Sequence, residues 1–492
     1  MLDILQGDSD AIESAISQEK SNKRREQAKI AERYYDYEHD ILENEIYYLN
    51  DNDQLVKDPY ASNIKIPHTF FTEIVDQAVS TELSNPVELN TEDESYSKRL
   101  EEYWNVDAHL FLQEMLEGAS KKGKEYAYVR QTAGDSSSSK VTFQISDSLV
   151  TFELTDERGD VFAIVRFYTK ELLRDNKVTP VEHCEVWTDE DVTFYIKDEK
   201  MKWVKNSNVN PNPRKHILAE KKDEESGDIV LMGRSYGRIP FYKLKNNKKE
   251  RTDLEPIKDL IDDYDLMSAM MSNNLQDYAG AIYVTKGFPG DDLSKLRLNI
   301  KSKGVVNVDQ EGDVDLKTYN IPVEGRIKKM ETDKRNIYKF GMAFDSTAIG
   351  DSSGNVTNVQ IMAGYSLLMM KLNKKEGYLR SLIDWMLELI TEDINRRFNT
   401  NYDHRDIEVN IVRETMVNRS ETAEIEKNEA ETQKIKVETL LDIATYLPQE
   451  DLLKELCEIL ELDWLDIQET LDEEVILPSL KGVGDEDIGQ DE

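Results

Sequence analysis

The chain has 492 residues, with 62 basic residues against 99 acidic ones and a formal net charge of −37. A hydrophobic fraction of 39% supports folded cores and excludes wholesale disorder, while the charge argues against tight, general binding of nucleic acid because phosphate repulsion opposes it. No apolar run approaches a membrane span, and Met1-Leu-Asp-Ile-Leu-Gln-Gly-Asp8 lacks a basic stretch followed by an apolar one, so neither insertion nor secretion is indicated and synthesis in a cytoplasm is expected.

Residues 8 to 47 read as helical and highly charged. The basic cluster from Lys20 to Arg33 is read as a solvated helix face, and His39 has no second ligand at helical spacing. Between Asn63 and Leu89 the spacing of Phe71, Ile74, Val75, Ala78 and Val79 predicts a core helix, with Pro86 after its end. A second helical stretch, from Ser95 to Gly118, leads to Gly118-Ala-Ser-Lys-Lys-Gly123-Lys124-Glu125. This nearly spells a phosphate-binding loop, but Glu125 stands where a hydroxyl must hold magnesium, and a helix precedes where a strand should. From Lys140 to Lys205 the period switches to two, predicting a six-stranded antiparallel meander. His183 and Cys184 then point to opposite faces, and Cys184 and Cys457, the only cysteines, are expected to be small buried side chains. Residues 206 to 230 read as polar loop, and residues 237 to 247 as a strand ending in the turn Asn246-Asn247.

The densest pattern lies between 253 and 398. Thr252 with Glu255 reads as a capping box with Pro256 in the first turn, opening a helix whose stripe runs from Ile257 to Tyr278 and whose other side carries Asp259, Asp262, Asp263 and Asp277. Short strands are predicted at 281–285, 305–308 and 316–319. A return helix from Glu324 to Phe340 is basic where its partner is acidic, carrying Arg326, Lys328, Lys329, Lys334, Arg335 and Lys339. The two can pair within one chain or between neighbouring copies. Next comes a polar loop with Ser346, Thr347, Asp351, Ser352, Ser353 and Asn355. A helix from Asn358 to Arg397, about 60 Å long at 1.5 Å per residue, follows, with Gly364 and Gly377 as places to bend. A strand at 407–412, a charged helix at 420–440, a small helical domain to 460 and an acidic tail from Gly482 complete the chain.

Several blocks are distinctive in combination: Tyr34-Tyr35 with His39-Asp40-Ile41; Asn63 to Val87, with Ile74-Val75-Asp76 and Asn85-Pro86-Val87; Ile239-Pro240-Phe241 with Asn246-Asn247 and the helix from Leu254 to Leu275; and Ser352-Ser353-Gly354 before the long helix. In this order and spacing they resemble the portal proteins of tailed bacteriophages, specifically the siphophage type of Gram-positive hosts. Ser84 departs from the pattern, standing where relatives are expected to place glycine.

The resemblance implies an α+β portal fold with a wing, helical stem, small α/β clip, long spoke helix and helical crown. Carried onto this chain, the wing is 1–252 and 344–411, with a tunnel loop at 345–357. The stem helices are 253–280 and 324–343, the clip is 281–323, and the crown with its tail is 412–492. It further implies a homo-oligomeric ring of about twelve subunits at one vertex of the capsid, assembled in the host bacterial cytoplasm and carried in the virion. Double-stranded DNA would pass non-specifically through the channel, past the tunnel-loop residues. The terminase large subunit, and later a head-completion or adaptor protein, would dock on the clip, where Lys286, Phe288, Asp291, Lys295 and Arg297 are the contact candidates, and major capsid and scaffolding proteins would surround the ring. No catalytic residue, metal or cofactor is implied. The competing readings are another virion structural component, such as a head-tail adaptor or scaffold, and a nucleic-acid enzyme using the aspartates of 253–277 to bind magnesium.

Overall fold

The computed structural model describes residues 4, 6–50, 52–59, 61–131, 140–174, 177–222, 229–276, 281–286, 313–318, 323–347, 358–414, 419–444 and 449–459. The chain divides into two compact units: Met1–Asp351 with Ala363–Thr415, and Ser352–Met362 with Met416–Glu492. The mixture of helix and sheet is that of an α+β protein.

In the first unit, α1 (Ser9–Lys20) starts on Asp8 and α2 (Lys23–Tyr35) on Asn22, each side chain accepting from backbone N–H groups of the first turn. The charged N-terminal stretch is therefore two capped helices. A 3-10 turn at Asp40–Glu43 and the hairpin of β1 (Tyr47–Leu49) with β2 (Leu55–Lys57) follow. Helix α3 (Phe70–Glu82) buries the predicted face. Beyond Pro86 come β3 (Glu88–Asn90), α4 (Glu94–Leu100) and α5 (Val106–Lys122), the last capped by Asn105.

Helix α5 ends at Gly123, whose φ of 84° is left-handed and whose added Cβ would stand 2.4 Å from the Glu250 carbonyl oxygen, so only glycine fits. The phosphate-loop look-alike is thus a helix C-terminus followed by β4 (Lys124–Gln131). That is the reverse of the order that phosphate binding needs.

The expected six-stranded meander divides. The strands are β5 (Val141–Ser146), β6 (Thr151–Thr155), β7 (Val161–Arg174), β8 (Lys177–Trp187), β9 (Asp191–Lys197) and β10 (Trp203–Lys205). The last five form one sheet in the order β10-β9-β8-β7-β6, while β5 leaves to pair with β4. The two sheets need different covers. Phe143 and Ile145 of β5 pack on the main helical core, whereas Phe152, Val165, Phe167, Cys184 and Tyr195 pack on Ile12 and Ile16 of α1.

Residues 206–230, expected as loop, also supply strands: β11 (Arg214–Lys215) pairs with β9, and β12 (Ile217–Lys222) forms a hairpin with β13 (Ile229–Arg234). Backbone pairing from Ile217–Arg234 to Lys222–Ile229 holds that hairpin without a clear apolar alternation to announce it. Then β14 (Phe241–Lys245) joins the other edge of β4.

Helix α6 (Lys258–Gln276), the pair β15 (Ala281–Lys286) and β16 (Asp313–Thr318), and α7 (Val323–Gly341) realise the predicted helix, strand-bearing excursion and helix. The strand expected at 305–308 lies outside the described residues. Helix α8 is continuous from Asn358 to Phe398. At Gly364 it admits the Phe344 ring, 2.8 Å from where a Cβ would be, so that glycine serves close approach. β17 (Glu408–Asn410) pairs with β3. Among the described residues of the second unit, α9 (Arg419–Asp442) and α10 (Gln449–Ile459) contact each other and bury Leu440 and Cys457. The main core of the first unit joins Tyr34, Phe71, Ile74, Leu112, Leu244, Ile257, Ile261 and Ile337 to Leu379, Leu382, Ile383, Met386 and Ile394 of α8.

Candidate functional site

The root of the α6–α7 pair is a buried charge cluster. Asp253 accepts from Lys375 Nζ at 2.8 Å, lies 2.9 Å from Lys371 Nζ and accepts from Asn246 Nδ2 at 2.8 Å. Lys375 also donates to Ser120 Oγ at 2.7 Å, and Lys371 to the Gly341 carbonyl at 3.1 Å. One carboxylate thus joins α5, the turn after β14, the C-terminus of α7 and α8. Burial opposes its ionisation, yet the two ammonium groups hold the Asp253 carboxyl well below the usual range. Burial pushes Lys375 down to about 8 against the pull of Asp253.

The capping box is half formed. Thr252 Oγ1 accepts from the Glu255 N–H at 3.3 Å, but the Glu255 carboxylate is taken by Arg24 at 2.8 Å. Because Leu254–Ile257 is a turn, the regular helix begins at Lys258.

The tyrosine-rich block around Tyr34 clamps the same helix. Tyr34 Oη donates to Asp262, while Lys258 reaches Asp40 at 2.7 Å and Asp262 at 2.6 Å. Burial opposes the charge on Lys258, but these carboxylates outweigh it and raise its pKa. His39, stacked on Tyr34 at 4.4 Å, sets Nδ1 2.7 Å from one oxygen of Asp265, and His68 Nδ1 lies 2.6 Å from the other. Asp265 is fully buried and also accepts from the His68 N–H at 3.1 Å. Both Asp265 oxygens are thus taken by imidazole Nδ1 atoms, while His39 Nε2 lies 3.1 Å from the Tyr34 carbonyl oxygen. No group of three or more metal-ligating side chains suited to a metal ion occurs among the described residues. Ser84, the departure from the expected glycine, accepts from the Glu414 N–H through Oγ at 2.7 Å, a bond glycine cannot make.

The opposed charges of α6 and α7 do meet within one chain: Lys329 bonds Asp263 across the pair and Asp333 on its own helix. Lys334 reaches forward to Thr347 Oγ1 and, at 3.7 Å, to Asp345, tying the start of the polar loop to α7. Ser346 and Thr347 are exposed. Arg326 is half-buried, and Lys328, Arg335 and Lys339 are exposed with no carboxylate partner among the described residues. Lys286 closes β15 opposite Asp313. Asp351, Ser352, Ser353, Asn355, Phe288, Asp291, Lys295 and Arg297 lie outside the described residues.

Sequence reasoning passed over Asp265, His68, Lys371 and Lys375. The signal was present: Asp265 falls on the buried stripe between Ile261 and Ala269, and Lys371 and Lys375 fall on the stripe of Leu368, Leu372 and Leu379. A charge at a stripe position must be paired or neutral.

A family model described as "Phage portal protein, SPP1 Gp6-like" matches residues 15–461. The chain belongs to this family. The portal protein of Bacillus phage SPP1 is 26% identical over 353 residues, covering 71% of this chain and 66% of the relative. That of Clostridium phage phiCD119 is 27% identical over 201 residues, covering 40% of this chain and 43% of the relative. The matched stretch is thus under two thirds of either portal protein's length. Both are phages of Gram-positive hosts, as the resemblance implied. A solved structure titled "Neck of native GTA particle computed with C12 symmetry" covers 80% of this chain and 90% of its own at 10% identity, but its TM-score of 0.34 is too low to bear on the portal reading. No helix among the described residues is long and apolar enough to cross a membrane.

Proposed function

We propose that this chain is a portal protein that forms a ring of about twelve subunits at one capsid vertex, through which double-stranded DNA is packaged and ejected. The observation that carries this reading is the portal-family match across residues 15–461. In this reading α6 and α7 are the stem, β15 and β16 belong to the clip on which the terminase large subunit and then a head-completion protein dock, and 345–357 narrows the channel. The wing is 1–252 with 344–411, α8 is the spoke, and 412–492 is the crown. Capsid and scaffolding proteins meet the ring from outside. The chain performs no chemistry; a partner ATPase drives translocation.

The stem suits side-by-side assembly. Leu266, Met270 and Leu275 on α6 and Ile327 and Phe340 on α7 are exposed in the single chain, and a neighbouring copy would cover them. Lys328, Arg335 and Lys339 offer cations to an acidic neighbour.

Mass photometry with negative-stain electron microscopy of the purified protein tests the reading. Rings of about a dozen subunits with a central hole are expected, and a species that stays monomeric under all conditions overturns it. Replacing Lys328, Lys329, Lys334 and Arg335 by glutamate is expected to weaken the ring most at low salt, where the screening length exceeds about 10 Å. Equal weakening at all salt concentrations would rule out electrostatic pairing of the stems.

A further inference from the structure

One face of the β6–β10 sheet is covered by α1, and the other opens, beside β4, into a cleft of about 660 Å³. Strand alternation builds it. Arg166, Tyr168 and Lys170 of β7 lie beside Glu185 and His183 of β8, in the register Arg166–Glu185 and Tyr168–His183. Arg130 of β4 and Arg214 of β11 complete the wall. The rim is fixed by Asn212, whose amide accepts from the Phe194 N–H at 3.0 Å and donates to the carbonyls of Phe194 and Asn206 at 2.8 and 3.1 Å.

In a chain of net charge −37 this is a cationic concavity. Among the described residues its one carboxylate is Glu185, already occupied by Arg166 at 3.0 Å, the Tyr168 hydroxyl at 2.6 Å and Trp187 Nε1 at 3.0 Å. No acidic side chain among the described residues pairs with Arg130, Lys170 or Arg214. Nε of Arg166 and Nε2 of His183 are buried without hydrogen-bond partners among the described residues. Burial, and for His183 also Lys170, keeps the imidazoles of His183 and His216 on the neutral side.

The seated Glu185 displays the recognition chemistry: a carboxylate held by a guanidinium, a phenol and an indole N–H. We propose that the cleft binds an extended acidic peptide segment of a partner protein, seating its carboxylates on Arg130, Lys170 and Arg214. In an extended segment, alternate side chains face one way, so one side of it can carry the carboxylates that Arg130, Lys170 and Arg214 would seat. Nucleic acid fits less well. Single strands bind by stacking bases on open ring faces, and here those faces are covered: Arg166 lies over Tyr128 at 5.0 Å, Lys170 over Tyr168 at 5.0 Å, Arg214 over Phe194 at 4.5 Å, and His183 is stacked on Tyr168. This proposal is independent of the channel reading, since the cleft lies on the sheet and not on α6, α7 or the polar loop.

The test is fluorescence anisotropy on the full chain with a labelled peptide of alternating aspartate and leucine, its asparagine counterpart, and a single-stranded oligothymidylate. The aspartate peptide is expected to bind, with the other two at least tenfold weaker. Arg130→Glu with Lys170→Glu, both at exposed positions, should weaken it at least tenfold with an unchanged thermal midpoint. Equal binding of the asparagine peptide, an unaffected double variant, or no binding at all would overturn the proposal. Tighter binding of the oligothymidylate would do so in favour of a nucleic-acid groove.

Discussion

Asp253→Asn is expected to destabilise the first unit by about 3–5 kcal/mol, because it strands two buried ammonium groups, and loss of one partner from a buried ion pair costs that much. Lys371 is 8% exposed and Lys375 4%, so neither can turn to water without unpacking α8. A thermal midpoint lower by roughly 5–10 °C follows, measured by circular dichroism. The pH dependence has a definite sign. Lys375 sits near 8 in the folded chain against 10.5 for an ordinary lysine. Between those values the unfolded chain holds a proton that the folded chain has released, so this group's contribution to stability rises with pH. Removing Asp253 removes the attraction opposing burial and lowers the folded value further. The variant should therefore recover part of its deficit between pH 7 and pH 9.5. A midpoint within a degree of the parent at pH 7 would show that the cluster is not held as described.

Asp265→Ala carries the second large effect. The substitution takes away the acceptor of the His39 and His68 rings and of the His68 N–H, and it opens a void between α6 and the N-terminal block. Buried donors left unmade cost about 1–3 kcal/mol each, and a total loss of about 3 kcal/mol is expected. The loss should be local first: hydrogen exchange in α6 from Ile261 to Met270 should quicken more than in β7 or β8. Uniform quickening would mean that His39, Asp265 and His68 do not anchor that helix in particular. Asp265→Asn, which retains one acceptor oxygen, should fall between the parent and the alanine variant.

Much of the fold was legible because it is local. The period of 3.6 marked α3, α6 and α8, a run of basic residues marked α7, and the period of two marked the strands from Val141 to Trp203. What periodicity cannot carry is the choice of partner. Nothing in Val141–Ser146 states that it pairs with Lys124–Gln131 and not with the strand after it; the helical core beneath Phe143 and Ile145 decides that. The hairpin from Ile217 to Arg234 was missed because its pairing rests on backbone groups that every residue carries. At the root of the stem, the tyrosine-rich block was recognisable as a motif, but its purpose was not. The residues that Tyr34 and His39 hold, Asp262 and Asp265, lie more than two hundred positions later, where no local pattern can point back to them.

The main core also sets an order of events during synthesis. Tyr34, Phe71 and Ile74 share it with Ile383, Met386 and Ile394, so residues near the start of the chain wait for residues made much later. At ordinary ribosomal rates of about 5–20 residues per second, that interval is roughly 20–70 s. Until α8 emerges, Ile257 and Ile261 lack their aliphatic cover and Asp253 lacks both lysines. A polypeptide terminated early, before Lys371, therefore has no finished root on which to mount its two paired helices. Its exposed apolar surface marks it for chaperones and proteases, so a finished core certifies that a copy has been translated through α8 and on to Ile407.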